Sequence, residues 1–160
     1  MTNIAHVQLR DITFGNVRQI IDLQVSESQR RYVAPNATSI AEGLLNPGGW
    51  MRALFVGSVP VGFLLLLDPN VPGAIARSPI DQSSVMLWRF MIAHEHQRRG
   101  LGMQALDLAC GQSRKTGATS LLTSYVPGDD GPELFYLRYG FTRTGAYRAN
   151  GTEPELRLTL

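Results

Sequence analysis

Residues 86–112 read MLWRFMIAHEHQRRGLGMQALDLACGQ, and this stretch decides the fold of the chain. It starts within an apolar run at residues 85–93, which has the length and the aromatic and aliphatic content of a strand. A polar turn with two arginines and two glycines follows, and beyond it apolar residues recur at helical spacing. The order of strand, basic turn and helix predicts an anion-binding site. The first N–H groups of a helix have no partner within it, and the helix dipole adds partial positive charge there.

The spacing of the turn excludes two common nucleotide-binding motifs. No Lys-Ser/Thr pair follows Gly102, as a P-loop requires, and only one residue separates Gly100 from Gly102, unlike G-x-G-x-x-G. The turn instead resembles the Gln/Arg-x-x-Gly-x-Gly/Ala signature of the GNAT superfamily of N-acetyltransferases. In that family, successive backbone amides of this turn hold the pyrophosphate of acetyl-coenzyme A. The resemblance implies acetyl-CoA as acetyl donor, and it implies a cofactor site at Gln97, Arg98, Arg99, Gly100, Leu101, Gly102 and Met103.

Length and composition predict one soluble domain over residues 1–160. The chain is 44% apolar and 18% charged, as is usual for globular proteins, and its net charge of +2 is too small to indicate a nucleic-acid partner. Its longest apolar stretch, residues 61–67, is too short to span a bilayer, and we expect no membrane association. The N-terminus lacks a signal-peptide pattern, and a single cysteine, Cys110, cannot form an internal disulfide, so we expect a cytoplasmic protein.

Hydrophobic periodicity and turn residues predict an α/β fold of the α+β type, a mixed, mostly antiparallel sheet with helices on both faces. Strands are expected at residues 5–13, 50–57, 59–68, 85–93, 118–125, 141–147 and 155–160. Helices are expected at residues 16–25, 26–32 and 39–45, from the glycine turn to about 115, and at 133–139, with Thr38 or Ser39 capping the third. Strands 85–93 and 118–125 flank the long helix and form the one parallel pair. This order is similar to the GNAT fold from end to end.

A second signature, Phe135-Tyr136-Leu137-Arg138-Tyr139-Gly140-Phe141, resembles the Phe-Tyr-x-x-x-Gly-Phe segment of the same family. The resemblance implies that Tyr136 is the general acid that protonates the departing coenzyme A thiolate. A phenol of pKa near 10 can donate to a thiolate of pKa near 8.5 as charge develops on the sulfur. Packing at the start of a helix is the alternative role for this tyrosine.

In relatives, the strand before the glycine turn pairs with the pantetheine amides, and a bulge in it aims an N–H at the thioester carbonyl. By position this implies cofactor contacts from Phe90, Met91 and Ile92, with Met91 or its neighbour as the oxyanion donor. One departure concerns the pantetheine arm, because Asp129 stands where many relatives carry an asparagine.

The general base is open at the level of sequence. Glu27 is the first candidate, since the helical region that contains it forms one wall of the acceptor site in relatives. The other candidates are Glu42, Glu95, His94 and His96. No third ligand with zinc-like spacing accompanies the two histidines, so we expect no metal site.

Residues 23–36 and 88–92 resemble the GNAT branch that includes bacterial spermine/spermidine acetyltransferases, which implies a small amine acceptor and makes a polyamine one candidate. A polyamine site would need converging carboxylates, for which Glu27, Glu42, Asp81 and Glu133 are available. Aminoglycosides, amino acids, protein N-termini and lysines are other acceptors. A non-catalytic acyl-CoA sensor is the alternative from a different class, and an open edge strand is compatible with a homodimer.

Overall fold

The computed structural model describes residues 5–160. Seven strands form one sheet in the order β1-β2-β3-β4-β5-β7-β6, and the pair β4–β5 is parallel while all other pairs are antiparallel. The strands are β1 (Val7–Arg10), β2 (Gly49–Val56), β3 (Val59–Leu67), β4 (Ser84–Ile92), β5 (Ser120–Ser124), β6 (Thr142–Arg148) and β7 (Glu153–Thr159). The predicted mixed sheet with a single parallel pair is confirmed.

Helices cover both faces of the sheet. The α-helices are α1 (Val17–Asp22), α2 (Asn36–Leu45), α3 (Leu101–Lys115) and α4 (Glu133–Tyr139), and two 3₁₀ helices cover Glu27–Tyr32 and His94–His96. Alternate residues of β3 explain this layering. Phe63 and Leu65 pack in the cluster that holds Ile20 of α1 and Ile40 of α2, whereas Leu64 packs in the cluster that holds α3. None of the helices described between residues 5 and 160 is long and apolar enough to cross a membrane.

The predicted helix starts were wrong in the segment before β2. Helix α2 begins at Asn36 with Pro35 as its N-cap residue, not at Thr38 or Ser39. Proline presets a backbone angle suited to a helix start, and the buried Asn36 amide donates to the Ile20 carbonyl at 2.8 Å, which fixes the first turn against α1. The helix predicted at residues 26–32 is a 3₁₀ helix, which begins with a capping box between Ser26 and Gln29.

The parallel pair β4–β5 is short, and this opens the sheet. Pairing between the two strands runs from Ser84 and Ser120 only as far as Met86 and Leu122. Beyond that point β4 stays paired with β3, and β5 stays paired with β7. The Thr123 hydroxyl, which donates to the Leu87 carbonyl at 3.1 Å, is the last link across the gap among the described residues. The strands therefore diverge and leave a cleft between their carboxyl ends.

The loop between β3 and β4 is held against the end of the sheet by a buried ion pair. Arg148 Nε donates to Glu155 Oε2 at 2.8 Å, and the side chains are only 8% and 11% exposed. The same guanidinium donates to the carbonyls of Ser78 at 3.4 Å and Pro79 at 2.9 Å. One arginine thus joins β6, β7 and the loop, so the loop has a fixed position beside the cleft.

Glu155→Gln is expected to destabilise the fold by about 3–5 kcal/mol, because it leaves the Arg148 charge buried without its counter-ion. Chemical denaturation followed by circular dichroism measures the change in free energy of unfolding. Asp11→Asn is the matched control, since it breaks an ion pair with Arg52 (3.1 Å) whose aspartate is 76% exposed. The control is expected to cost less than about 1 kcal/mol. Equal losses in the two variants would contradict a structural role for the buried pair.

Candidate functional site

A cleft of about 1240 Å³ opens where β4 and β5 part. Its walls come from β4, the carboxyl end of β5, the first turn of α3, helix α4, the Glu27–Tyr32 3₁₀ helix and the loop before β4. All of the predicted cofactor residues line it except Arg99, which is exposed and lies outside the lining. Tyr136 lines the cleft, whereas Glu27 does not.

The first turn of α3 presents unpaired backbone donors to this cleft. Gly100, the N-cap residue, has φ +75°, and no side chain caps the helix start. Within the described chain, none of the N–H groups of residues 98–103 donates to a turn or loop acceptor. A Cβ at Gly100 would meet no atom within 4 Å, so the space above these donors is open. The turn therefore has the geometry that a diphosphate requires.

The side chains of the turn divide between charge and anchoring. Arg98 is exposed at the cleft with φ 61°, an uncommon conformation for a residue other than glycine. The Gln97 amide, in contrast, is used within the protein. It exchanges hydrogen bonds with the Gln29 amide at 2.8 and 3.1 Å and donates to the Ile92 carbonyl at 2.9 Å. Gln97 thus joins the turn to the Glu27–Tyr32 3₁₀ helix and to the end of β4.

Gly102 is required by packing. A Cβ there would lie 3.0 Å from the Phe135 ring, which in turn stacks on Phe90 with centroids 6.0 Å apart. The two sequence signatures therefore touch each other, because the second glycine of the turn receives the first aromatic residue of α4. Their spatial contact is a result that neither signature shows alone.

Strand β4 supplies backbone groups rather than polar side chains to the middle of the cleft. Phe90, Met91 and Ile92 line it, and the Met91 side chain is buried on the opposite face of the sheet, at 5% exposure, beside α1 and α2. The bulge lies at Trp88, since Leu65 pairs with Arg89 while Leu66 pairs with Leu87. It thus precedes Met91, the implied oxyanion donor, by three residues and follows Met86, the last β4 residue paired with β5, by two.

Tyr136 is buried on α4 at the inner end of the cleft, with 6% of its surface exposed. Its ring packs edge-on against Phe135 and Phe141 at 5.4 and 5.3 Å. Burial raises the pKa of Tyr136 to about 12, and hydrogen bonding to Thr123 opposes the shift. The phenol therefore stays protonated at neutral pH and can donate a proton but not accept one.

The candidate bases are dispersed. Glu27 is exposed at the first residue of its 3₁₀ helix, and Glu95 and His94 are exposed on the next one. Only Glu42 and His96 of the candidate bases line the cleft. Across residues 5–160, no group of three or more His, Cys, Asp or Glu side chains is arranged to hold a metal ion.

The four carboxylates that a polyamine site would need do not converge. Asp81 and Glu133 lie outside the cleft lining. A hydrogen bond from Ser83 and a weaker contribution from Arg157 hold the pKa of Asp81 well below its usual range. Hydrogen bonds from Tyr125 and Arg143 lower the pKa of Glu133. Glu42 lines the cleft but accepts from two arginines. In the loop before α4, Asp130 reaches the cleft, whereas Asp129 is exposed outside it.

Sequence reasoning missed several charged residues of the cleft, among them Arg77, Arg89 and Glu153. Arg77 belongs to the loop between β3 and β4, Arg89 follows the bulge in β4, and Glu153 begins β7. Arg89 stands in a run of apolar residues, which was the only sequence signal that marked it as unusual. Arg77 and Glu153 carry no local pattern, because the tertiary fold alone brings them to the cleft.

Comparison with known proteins places this geometry in a family. A sequence search of curated proteins finds no significant match. Among solved structures, the aminoglycoside acetyltransferase AAC(6')-Ib in complex with coenzyme A aligns with a TM-score of 0.76 and 14% identity, over 96% of this chain and 94% of that one. PaiA N-acetyltransferase from Thermoplasma acidophilum, also with coenzyme A, aligns with a TM-score of 0.69 and 14% identity, over 96% and 99% of the two chains.

A third similar structure is a GNAT family acetyltransferase from Elizabethkingia anophelis with acetyl-CoA bound. It aligns with a TM-score of 0.67 and 15% identity, over 99% of this chain and 100% of that one. At these identities the likeness shows the fold. The sequence itself matches the model of the acetyltransferase (GNAT) family over residues 17–141. That span contains both signatures, the cleft-lining part of β4 and Tyr136, and the chain therefore belongs to the GNAT acetyltransferase family.

Proposed function

We propose that this protein transfers the acetyl group of acetyl-CoA to a primary amine of a small molecule, by direct attack in a ternary complex. The observation that carries this proposal is the uncapped start of α3, which opens into the same cleft as the protonated Tyr136 phenol. One ligand that lies along β4 would reach both. Binding of CoA or acetyl-CoA by similar structures supports the choice of donor.

The donor would be held mainly by backbone. Its diphosphate would accept hydrogen bonds from the free N–H groups at residues 98–103. Arg98 would add positive charge at the cleft, and Arg99, which is exposed outside the lining, would add charge beside it. Gln97 would act by fixing the turn, through its bonds to Gln29 and Ile92. The pantetheine arm would pair with β4 at Phe90, Met91 and Ile92, where the strand has lost its β5 partner.

The chemistry would take place at the bulge. The amine nitrogen attacks the thioester carbonyl carbon, so that a C–N bond forms and the C–S bond breaks. A backbone N–H of β4 near the bulge would stabilise the oxyanion, and Tyr136 would protonate the thiolate as it leaves. The acceptor ammonium group gives up one proton before the attack, and after it the phenol regains its proton from the nitrogen, which keeps one hydrogen in the amide product. No covalent enzyme intermediate is needed.

Other acceptors and roles remain separate proposals. Acetylation of a protein N-terminus or lysine would use the same donor half, and a sensor would bind acetyl-CoA without turnover. A polyamine acceptor has little support, because the available carboxylates are dispersed or paired with arginines. Strand β6, exposed along most of its length at one edge of the sheet, would suit a homodimer.

Coenzyme A release in the presence of acetyl-CoA and a panel of amines is expected to rise for at least one small amine. Tyr136→Phe should then lower kcat about 10²–10⁴-fold, since the general acid is lost while the ring packing is kept. Because the Tyr136 pKa is raised to about 12, the wild-type kcat should not fall as pH increases from 8 to 10. If acetyl-CoA binds but no amine stimulates release of coenzyme A, the alternative role as a non-catalytic acyl-CoA sensor is favoured.

Gly100→Ala is expected to weaken coenzyme A binding at least about tenfold, measured by isothermal titration calorimetry. The added methyl group would be strained at φ +75°, so the turn that presents the free N–H groups would have to change its backbone conformation. Gly117→Ala is the matched control, since Gly117 has φ +86° and open space around its Cα but lies beyond the far end of α3. Similar affinities for the two variants would contradict the proposed diphosphate site.

Glu27 as general base rests on the family resemblance, and a change at this position tests it directly. That role requires Glu27→Gln to lower kcat by at least about 10²-fold at pH 7. Stopped-time assays with the best acceptor of the panel measure the effect. An unchanged kcat would mean that the proton leaves by another group or through water, in keeping with the exposed position of this carboxylate.

A further inference from the structure

The acceptor end of the cleft carries an unusual set of charges. We define the acceptor pocket by Glu42, Arg77, Arg89 and Glu153, together with the apolar residues Leu45 and Ile75. Arg89 lies three residues before Ile92, the last residue of β4, so it stands roughly 10 Å from the end of the strand that leads to the glycine turn. It is also the first residue after the bulge at Trp88. The pocket therefore lies beyond the proposed thioester position, on the side where an acceptor must enter.

Two arginines in this pocket share one carboxylate. Arg77 Nη2 lies 3.0 Å from Glu42 Oε1, and Arg89 Nη2 lies 3.1 Å from Glu42 Oε2. Glu42, Arg77 and Arg89 together carry one net positive charge, because guanidinium groups stay ionised. The Arg77 side chain is 78% exposed, so it can turn towards a ligand at little cost.

Arg89 has unused hydrogen-bonding capacity. Its Nη1 donates to the Trp88 carbonyl at 3.0 Å, while its Nε is buried without a partner among the described residues. Burial is also the main reason that the pKa of Arg89 is lowered, although Glu42 opposes the shift. Burying a cation with an unmatched donor carries a desolvation cost. An anionic ligand beside the guanidinium would offset part of that cost.

Glu153 adds a carboxylate to the same pocket. Glu153 is half-buried at the start of β7, and the Ser124 hydroxyl donates to its Oε2 at 2.7 Å. No arginine, lysine or histidine of the described chain lies within ion-pair distance of it. It lines the same cleft as Arg89, and its charge opposes the lowering of the pKa of that guanidinium.

We infer that the acceptor is a zwitterionic amino acid, whose carboxylate is bound by Arg89 and Arg77 and whose amino group is positioned by Glu153. Leu45 and Ile75, which are 80% and 61% exposed at the mouth of the pocket, would cover an apolar side chain. The product would be an N-acetyl amino acid. A polyamine, by contrast, would bring positive charge against two arginines. This inference rests on the proposed acetyl transfer and names its acceptor.

Matched acceptors test the carboxylate requirement. Leucine and 3-methylbutylamine differ only in the carboxylate, and leucinamide replaces it with a neutral amide. We expect kcat/KM for leucine to exceed that of either analogue without the carboxylate by about 10- to 100-fold, as charge-assisted hydrogen bonds allow. Leucine should also exceed glycine, which lacks the apolar side chain.

Substitutions of Glu42 and of the two arginines, Arg77 and Arg89, should change the preference for leucine over 3-methylbutylamine in opposite directions. Arg77→Gln and Arg89→Gln should raise KM for leucine while leaving KM for 3-methylbutylamine within about twofold. Glu42→Gln should lower KM for leucine, because it removes the carboxylate that competes for both arginines. Glu153→Gln should raise KM for all three amines, since each carries the amino group. Arg52→Gln is the control arginine, as Arg52 pairs with Asp11 outside the cleft.

The outcomes separate this inference from the broader function. Release of coenzyme A with spermidine or 3-methylbutylamine but not with leucine would overturn the amino-acid acceptor and leave acetyl transfer standing. Equal changes in KM for leucine and 3-methylbutylamine in the Arg77 variant, which should fold normally, would show that the arginines do not bind the carboxylate of the acceptor. Release with no amine would overturn both proposals. Thermal unfolding of each variant identifies any loss that comes from misfolding.

Discussion

The parting of β4 from β5 is the constraint on which the rest of the structure depends. After Met86 and Leu122 the two parallel strands no longer pair, yet each keeps its other neighbour. An extra residue at Trp88 bends β4 at this point, and Thr123 closes the inner end of the gap. Backbone groups of β4 thus face a cleft in the middle of a sheet, where they would otherwise be satisfied by a neighbouring strand. A ligand with amides of its own can take the place of that strand.

The ends of the cleft are fixed by contacts between distant parts of the chain. Paired amides of Gln97 and Gln29 join the glycine turn to the Glu27–Tyr32 3₁₀ helix at one end. At the other end, the buried Arg148–Glu155 pair holds the loop that carries Ile75 and Arg77. The end of the cleft proposed for the donor is therefore built from α3 and β4, while the end proposed for the acceptor is built from α2, the loop and β7. Under this proposal, substitutions at the acceptor end can alter specificity without changing the proposed diphosphate site, because the two ends share only β4.

Much of the fold was predictable because the relevant signals are local. The order of the seven strands along the chain, the long α3 and the exact limits of α4 follow from hydrophobic patterning and turn residues. The start of α2 was predicted wrongly, because the buried bond from Asn36 to the Ile20 carbonyl is a tertiary interaction. The register shift at Trp88 also could not be located from the sequence, since it depends on the pairing of Leu65 and Leu66 with β4. A single strand contains no record of the register in which its neighbour pairs.

The amino-acid sequence by itself determined the fold family, the uncapped start of α3 and the presence of a tyrosine in the second signature. These features need only a few adjacent residues, because helix termini and turns are local structures. Only the tertiary structure brings Gly102 into contact with the Phe135 ring and leaves Glu27 outside the cleft. It also buries Tyr136, which raises the pKa of the phenol. It also brought Glu42, Arg77, Arg89 and Glu153 into one pocket. Charges separated by up to about a hundred residues meet only when the sheet closes around them, and no local pattern encodes their meeting.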